Sequence, residues 1–312
     1  PPPPPPPPPP PVLIHQHQPP PAYSPSPGGP DLYKRQASPD PAQAPPAVVF
    51  VHGMRTSGAI WDHQVEHVRA LGHDAVAVDL PAHGARAHER FTLDRSFEVL
   101  DEAAASFGPD RRVALVGLSL GGYTSIAWAA RRPANLAGVV AAACTSDPKG
   151  KPVALYRDVA RLVVAGGGAV GRGARWAART TATAWGTIAR GGRGLPGGAA
   201  SSYALAGPAD AGPPTPVAPG WHVVTDALTQ LAGRSWLAHV RDVDVPVWLV
   251  NGARDHMRLD EQRYLAAAAD AALVVVPRAG HDVNSEAPEA FNRVLGRALA
   301  DFGRVRGARL GA

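Results

Sequence analysis

Short apolar runs alternate with amphipathic segments along the chain from Ala47 onward. Six of these runs each predict a short strand that is buried on both faces: AVVFVHG, DAVAVDL, RRVALVGLS, LAGVVAAAC, VPVWLVNG and AALVVVPRAG. Four segments between and after them predict helices: WDHQVEHVRALG, LDRSFEVLDEAAASFG, GGYTSIAWAARRP and APEAFNRVLGRALADFG. Apolar strands that alternate with helices indicate an α/β fold, with a mostly parallel central sheet and helices on both of its faces.

Two parts of the chain interrupt this alternation. Residues 1–46 begin with eleven consecutive prolines and cannot bury a core, so we expect a proline-rich disordered tail. Residues 146–240 separate the fourth predicted strand from the fifth, and their helical segments are broken by runs of glycine and proline. An insertion of this length between two strands is typical of a lid. We therefore predict a core formed by residues 47–145 and 241–312, with residues 146–240 as a helical cap.

The composition and charge of the chain limit the kinds of molecule that we expect it to bind. The chain of 312 residues has a net charge of +5, but its arginines are scattered and accompany no nucleic-acid-binding motif. Cys144 is the only cysteine, which leaves no intrachain disulfide and no cysteine-based metal site. The sequence has no signal-peptide pattern and no apolar run near the roughly 20 residues that span a bilayer. We expect a soluble protein, cytoplasmic by default, that binds a small molecule and no nucleic acid; its oligomeric state stays open.

Ser119 is the first candidate for chemistry. It lies in Gly117-Leu118-Ser119-Leu120-Gly121, a G-x-S-x-G pattern between the third predicted strand and the helix that follows it. This pattern is typical of a nucleophile on a sharp strand-to-helix turn, and its glycines allow the close packing that such a turn needs. The alternative is a serine at which a strand merely ends. The strand–turn–helix context favours a nucleophile.

A serine hydroxyl needs a base, because its own pKa is far too high for unaided attack. His281 follows the last predicted strand, where a loop would return it to the carboxyl edge of the sheet. A surface loop histidine is the alternative for this position. His63 and His67 have a spacing that suits a metal ion, but Glu66 is misplaced for the H-E-x-x-H motif. We expect a solvated helix face there.

The imidazole base in turn needs a carboxylate, which keeps the ring in the required tautomer and stabilises its charged form. Asp255 follows the fifth predicted strand and completes the chain order Ser, Asp, His that is usual in this architecture. A helix N-cap is the alternative role for Asp255. Asp147, just past the fourth strand, is the reserve candidate for the same carboxylate. Asp79 is expected to shape its own loop.

Acyl transfer also needs hydrogen-bond donors for the oxyanion of the tetrahedral intermediate. Gly53 allows the chain to turn sharply after the first strand, so that the amide of Met54 faces the site. The second predicted donor is the amide of Leu120, immediately after the nucleophile. Because both donors are backbone groups, the side chains of Met54 and Leu120 are incidental to this role.

Five segments in this order resemble the α/β-hydrolase superfamily: VHG at 51–53, VDLPAHG at 78–84, GLSLGG at 117–122, NGARDH at 251–256 and AGHDVNSEAPEAF at 279–291. The resemblance covers about residues 47 to 305 and implies the α/β-hydrolase fold with an inserted cap. It also implies a cofactor-free serine hydrolase of the esterase or lipase type. A serine at position 119 differs from the aspartate nucleophile of the family's epoxide hydrolases and dehalogenases.

Three functions are compatible with these residues. The leading hypothesis is hydrolysis of a carboxylic ester of a small, apolar substrate through an acyl-enzyme. The second keeps the same three side chains for C–C bond hydrolysis, lactone opening or a lyase reaction, and the third is a non-catalytic ligand-binding protein. Four tryptophans in the predicted cap either form an apolar ceiling over the substrate or pack the cap onto the sheet: Trp176, Trp185, Trp221 and Trp236.

Overall fold

Six strands form a single parallel sheet in the computed structural model, which describes residues 44–158 and 220–309. In chain order the strands are β1 (Ala47–Val51), β2 (Ala75–Val78), β3 (Val113–Leu118), β4 (Leu136–Ala142), β5 (Val247–Gly252) and β6 (Ala271–Val276). Their order across the sheet is β2-β1-β3-β4-β5-β6, and every neighbouring pair is parallel. All six strands coincide with apolar runs of the sequence, so the predicted parallel sheet is confirmed.

Eight α-helices lie entirely within the described ranges: α1 (Asp62–Ala70), α2 (Leu93–Ala105), α3 (Leu120–Ala129), α4 (Trp221–Leu231), α5 (Trp236–Asp242), α6 (Glu261–Ala267), α7 (Val283–Glu286) and α8 (Pro288–Arg309). Helices α1, α2, α3 and α8 match the four helical patterns of the sequence. Helix α8 continues past Gly303, where the pattern predicts its end, because one glycine inside a helix costs only about 1 kcal/mol. Among the described residues, no helix combines the length and the apolar character that crossing a membrane requires.

The two faces of the sheet are covered by two separate apolar clusters. Successive strand side chains point to opposite faces, so in β1 Val49 belongs to one cluster and Phe50 to the other. Helices α2, α3 and α5 contribute to the first cluster, whereas α1 and α8 contribute to the second. Burial on both faces explains why the strands are continuous apolar runs rather than alternating ones.

Close backbone packing fixes the turn between β3 and α3. A Cβ atom added to Gly117 would overlap the backbone of Gly121, and one added to Gly121 would overlap the carbonyl oxygen of Val51 at the end of β1. Neither neighbour can move easily, because each is backbone within the sheet or at the first turn of a helix. The glycines of the G-x-S-x-G pattern therefore let α3 begin directly against the sheet, as the sequence predicts.

The described ends of the predicted cap pack onto the core. Helix α5 spans residue 240, the predicted boundary, and its buried residues Trp236, Leu237 and Val240 belong to the same apolar cluster as the sheet. The indole nitrogen of Trp236 donates to the carbonyl of Tyr123 in α3 at 2.7 Å. Of the alternatives for the tryptophans, Trp236 thus takes the packing role. Trp176 and Trp185 lie outside the described residues, as do the predicted proline-rich tail and most of the predicted cap.

Replacing Gly121 by alanine should lower the free energy of unfolding by about 3 kcal/mol, because the new methyl group meets fixed backbone. The control is Gly303→Ala, where nothing lies within 4 Å of the added Cβ and the residue is inside helix α8. That change should raise stability by up to about 1 kcal/mol through helix propensity. Urea unfolding followed by circular dichroism measures both. Equal stability of the two variants would contradict the packing described for the turn.

Candidate active site

The structure brings Ser119, His281 and Asp255 together at the carboxyl edge of the sheet. The imidazole Nε2 of His281 lies 2.9 Å from Ser119 Oγ, and its Nδ1 lies 2.9 Å from Asp255 Oδ1. Ser119 follows β3, Asp255 follows β5 and His281 follows β6. Their meeting follows from the parallel sheet, in which the carboxyl ends of neighbouring strands share one edge.

Ser119 is held in a backbone conformation that few residues adopt. Its φ of 53° and ψ of −114° fall outside the helical and extended regions, and such strain costs of order 1–3 kcal/mol. The surrounding hydrogen bonds hold it in place, since its amide donates to the carbonyl of Ala142 at 2.8 Å and its carbonyl accepts from the amide of Tyr123 at 3.0 Å. The turn projects the hydroxyl away from the sheet and toward His281.

The loops that carry Asp255 and His281 are joined by backbone contacts at the ends of β5 and β6. The amide of Ala253 donates to Val276, and the amide of Arg254 donates to Ala279, both at 2.9 Å. A side chain at Gly252 would overlap the carbonyl of Gly280, so the two loops pack without any side chain between them. This close approach fixes the separation of the carboxylate from the imidazole.

Opposing effects set the pKa values of these two groups. Burial alone would raise the pKa of Asp255, but the hydrogen bond and charge of His281 and the amide of Met257 outweigh it and lower that pKa. Burial alone would lower the pKa of His281, but the hydrogen bond and charge of Asp255 outweigh it and raise that pKa. A carboxylate accepts and cannot donate, so Nδ1 of His281 carries the proton and Nε2 is left to accept from the serine hydroxyl.

Asp147, the reserve candidate for the carboxylate, has a different position. Its Oδ1 accepts from the amide of Trp236 at 2.8 Å, and its Oδ2 accepts from the hydroxyl of Ser235 at 3.0 Å. It therefore caps the start of α5, while His281 is hydrogen-bonded to Asp255. Asp79 accepts from two backbone amides, those of Gly58 and Ala85, in agreement with the predicted loop-shaping role.

The backbone of the β1–α1 loop differs in one respect from the expectation. Gly53 does not have a positive φ, and a Cβ added there would make ordinary contacts of 3.6 Å with Leu118 and Ser119. The left-handed residue of this loop is Arg55, with φ of 60°. Neither the φ of Gly53 nor its surroundings therefore requires a glycine at position 53, and the positive φ of this loop occurs two residues later.

The residues that carry the predicted oxyanion donors adjoin Ser119. A Cβ atom built on Gly53, whose carbonyl carbon is bonded to the Met54 nitrogen, would lie 3.6 Å from Ser119 Cβ, and Leu120 follows Ser119 as the first residue of α3. Within residues 44–158 and 220–309, neither the amide of Met54 nor that of Leu120 donates to a carbonyl or a side chain. A buried or half-buried amide without an acceptor is rare in folded proteins.

Three histidines near the site were not identified as functional from the sequence. His256 follows Asp255, and its ring centroid lies 5.0 Å from that of His281. Asp255, His256 and His281 are also the one group in the described ranges with ligand atoms spaced for a metal ion, although the first and third are already hydrogen-bonded to each other. His52, in the β1–α1 loop, and His83, in the loop after β2, are both buried. In the sequence, the only indication that His256 lies at the site is that it follows Asp255. For His52 the only indication is that it precedes Gly53.

The chain belongs to the alpha/beta hydrolase family, whose sequence model matches residues 48–294. The rice protein "Probable esterase PIR7A" (Oryza sativa) is 38% identical over 106 residues, which make up 33% of this chain and 40% of the relative. Esterase Rv0045c of Mycobacterium tuberculosis is 35% identical over 94 residues, 28% of this chain and 29% of the relative. The matched segments thus span less than half the length of either curated relative.

Solved structures share the same architecture. An esterase from Thermogutta terrifontis with malate bound aligns with a TM-score of 0.61 at 19% identity, over 83% of this chain and 91% of that one. The enol-lactonase from Burkholderia xenovorans LB400 aligns with a TM-score of 0.55 at 17% identity, over 82% of this chain and 90% of that one. At these identities the likeness establishes the fold.

Replacing Asp147 by alanine should lower the free energy of unfolding by about 1–2 kcal/mol, because the start of α5 loses its cap. Turnover of p-nitrophenyl acetate at saturating concentration should stay at the wild-type level. Thermal unfolding and steady-state kinetics on the same preparation measure both quantities. If Asp147→Ala stays folded and yet loses activity as fully as Asp255→Ala, the capping role assigned to Asp147 is wrong.

Proposed function

We propose that the protein is a serine hydrolase that cleaves carboxylic esters of small, apolar substrates through an acyl-enzyme. The observation that carries this proposal is the continuous hydrogen-bonded chain from Ser119 through His281 to Asp255, with both distances at 2.9 Å. The names of the two curated relatives, both esterases, support an ester as the substrate class. The family and its fold are compatible with this chemistry.

In the proposed acylation step, Ser119 Oγ attacks the ester carbonyl carbon while Nε2 of His281 accepts the hydroxyl proton. The C–O bond to the alcohol then breaks, and His281 returns the proton to the leaving alkoxide. Asp255 keeps the imidazole in the required tautomer and stabilises the imidazolium that forms between the two proton transfers. Water repeats the sequence on the acyl-enzyme, releasing the acid and restoring Ser119.

The oxyanion of each tetrahedral intermediate would be bound by the amides of Met54 and Leu120. Both lack an acceptor in the described ranges, and the second lies at the amino end of α3, where the helix dipole favours negative charge. The loss of one such donor costs a factor of about 10²–10³ in kcat. None of these steps calls for a metal ion or an organic cofactor.

Ser119→Ala should abolish labelling by a fluorophosphonate probe and lower kcat on p-nitrophenyl esters by at least about 10⁴-fold. Ser106→Ala is the matched control, because it removes the same hydroxyl from an exposed position at the end of α2. A panel of esters from acetate to octanoate, with lactones and a C–C substrate added, identifies the bond that is cleaved. Equal labelling of the wild type and Ser119→Ala would overturn the proposal, and turnover confined to lactones or the C–C substrate would overturn the ester assignment.

The proposed base also determines the pH dependence. His281 must be neutral to accept a proton, and its pKa is raised above the ordinary value of about 6.5. We therefore expect kcat/KM to fall as the pH drops through a value above about 6.5. Asp255→Asn removes the interaction that raises the pKa, so the inflection should move to lower pH while the plateau falls by about 10⁴-fold.

Asp282→Asn is the control for the pH profile. The charge of Asp282 also raises the pKa of His281, but by less than the hydrogen bond and charge of Asp255. Its substitution should move the inflection in the same direction by a smaller amount and leave the plateau intact. An inflection at the same pH in the wild type and Asp255→Asn would contradict the assignment of His281 as the base that Asp255 supports.

A further inference from the structure

Two buried histidines form reciprocal hydrogen bonds between the β1–α1 loop and the loop after β2. His52 belongs to the first loop and His83 to the second, and both are fully buried, with ring centroids 4.7 Å apart. The amide of Leu80, in the second loop, donates to Nε2 of His52 at 3.0 Å. The amide of Arg55, in the first loop, donates to Nε2 of His83 at 3.0 Å. Each loop therefore supplies an acceptor for an amide of the other.

The partners of both rings require the same neutral tautomer. Nδ1 of His52 lies 2.7 Å from the carbonyl of Gly53, and Nδ1 of His83 lies 2.9 Å from the carbonyl of Pro81. A carbonyl only accepts and an amide only donates, so each ring carries its proton on Nδ1 and leaves Nε2 bare. Burial agrees with this state: together with the neighbouring His83 it lowers the pKa of His52 to about 4, and it lowers the pKa of His83 as well.

These hydrogen bonds hold the two peptide units on either side of the Met54 Cα atom. The Met54 amide, which is the proposed oxyanion donor, belongs to the first of them. The Met54 amide and the Gly53 carbonyl belong to one peptide unit and point in opposite directions, because the peptide is trans and planar. The Gly53 carbonyl accepts from His52 Nδ1 and from the hydroxyl of Thr56 at 2.8 Å. Holding that carbonyl orients the Met54 amide on the opposite side of the same plane.

The second peptide unit is held from the other loop. It ends in the amide of Arg55, which donates to His83, and Arg55 has a left-handed φ of 60°. This conformation costs a non-glycine residue about 1–2 kcal/mol. It therefore needs an interaction that the residue would lose in other backbone conformations. The acceptor on His83 is such an interaction. Within the described ranges neither His52 nor His83 is hydrogen-bonded to Ser119, His281 or Asp255.

We propose that His52 and His83 are positioning residues that fix the direction of the Met54 amide toward the oxyanion, through bare Nε2 acceptors and Nδ1–H donors supplied across the two loops. This inference rests on the proposed function, since the oxyanion arises only if Ser119 forms a tetrahedral intermediate. His83 is the more informative of the two for a test, because its acceptor serves the left-handed residue next to Met54.

Two substitutions of His83 separate the acceptor from the rest of the ring. In glutamine the side-chain oxygen can take the place of Nε2 and accept from Arg55, whereas in asparagine the amide nitrogen takes the place of Nδ1 and only the donor to Pro81 is kept. We expect His83→Asn to lower kcat on p-nitrophenyl acetate by about 10- to 100-fold, less than or equal to the loss of a whole donor. KM should change little, and His83→Gln should recover most of the loss.

His73→Asn is the control for the substitution itself. His73 Nδ1 also lies within hydrogen-bonding distance of a carbonyl, that of Pro46 at 2.8 Å, but the residue precedes β2 at the opposite edge of the sheet. Active sites are counted by fluorophosphonate titration, so that loss of folded protein does not count as loss of kcat. Amide hydrogen exchange at Arg55, a readout independent of turnover, should be about tenfold faster in His83→Asn than in the wild type.

The outcomes are distinguishable. If wild-type protein is not labelled at Ser119, the proposed function fails and this inference fails with it. If the wild type is labelled but His83→Asn keeps the wild-type kcat, or His83→Gln is impaired as severely as His83→Asn, only the positioning role is overturned. If His83→Asn does not fold, His52→Asn and His52→Gln replace it. Asparagine keeps and glutamine removes the donor to the Gly53 carbonyl, and equal kcat values for these two would overturn the proposal.

Discussion

The close approach of α3 to the end of β1 is the constraint on which the candidate site depends. Because Gly121 has no side chain, the first turn of α3 rests on the carbonyl of Val51, two residues before Gly53. This one contact sets the strained turn at Ser119, brings the Leu120 amide to the sheet edge, and places it beside the loop that carries the Met54 amide. Ser119 and the Leu120 amide are therefore positioned by backbone packing.

Close backbone packing also positions the other half of the site, which contains Asp255 and His281. Gly252, at the end of β5, has no room for a side chain beside the carbonyl of Gly280, so the loops of Asp255 and His281 run together. The side chains of Ser119, His281 and Asp255 extend from these packed loops and turns and meet through hydrogen bonds. A site built on backbone contacts at strand ends is preorganised, since little has to reorder when charge develops.

Most of the sheet was predictable from the sequence, because strands buried on both faces must be continuously apolar. The placement of Ser119, Asp255 and His281 was predictable for a related reason: residues that follow parallel strands lie at the edge that the carboxyl ends of those strands share. That rule does not choose between Asp255 and Asp147, which both follow strands. Only the three-dimensional contact with α5 assigns Asp147 to capping. Helix α5 itself lies in a region where the glycine- and proline-rich pattern predicts a cap.

The histidines show most clearly what a sequence pattern leaves undetermined. His52, His83 and His281 all lie in loops at the same edge, yet the pKa of His281 is raised and those of His52 and His83 are lowered. Burial acts in the same direction on all three, and the difference comes from the partner. His281 faces a carboxylate, whereas Asp79 raises the pKa of the other two too weakly to offset their burial.

A protonated His52 or His83 would attract an oxyanion by charge, but its Nε2 would then present a proton to a backbone N–H. Two donors cannot share one hydrogen bond, so the loop would lose the contact that orients Met54. Burial of an additional cation would add a desolvation cost. The neutral rings do not attract an oxyanion by charge, but they keep the hydrogen bonds that fix the geometry of the loop. The effect of an oxyanion donor depends on its distance and direction, and the neutral rings preserve both.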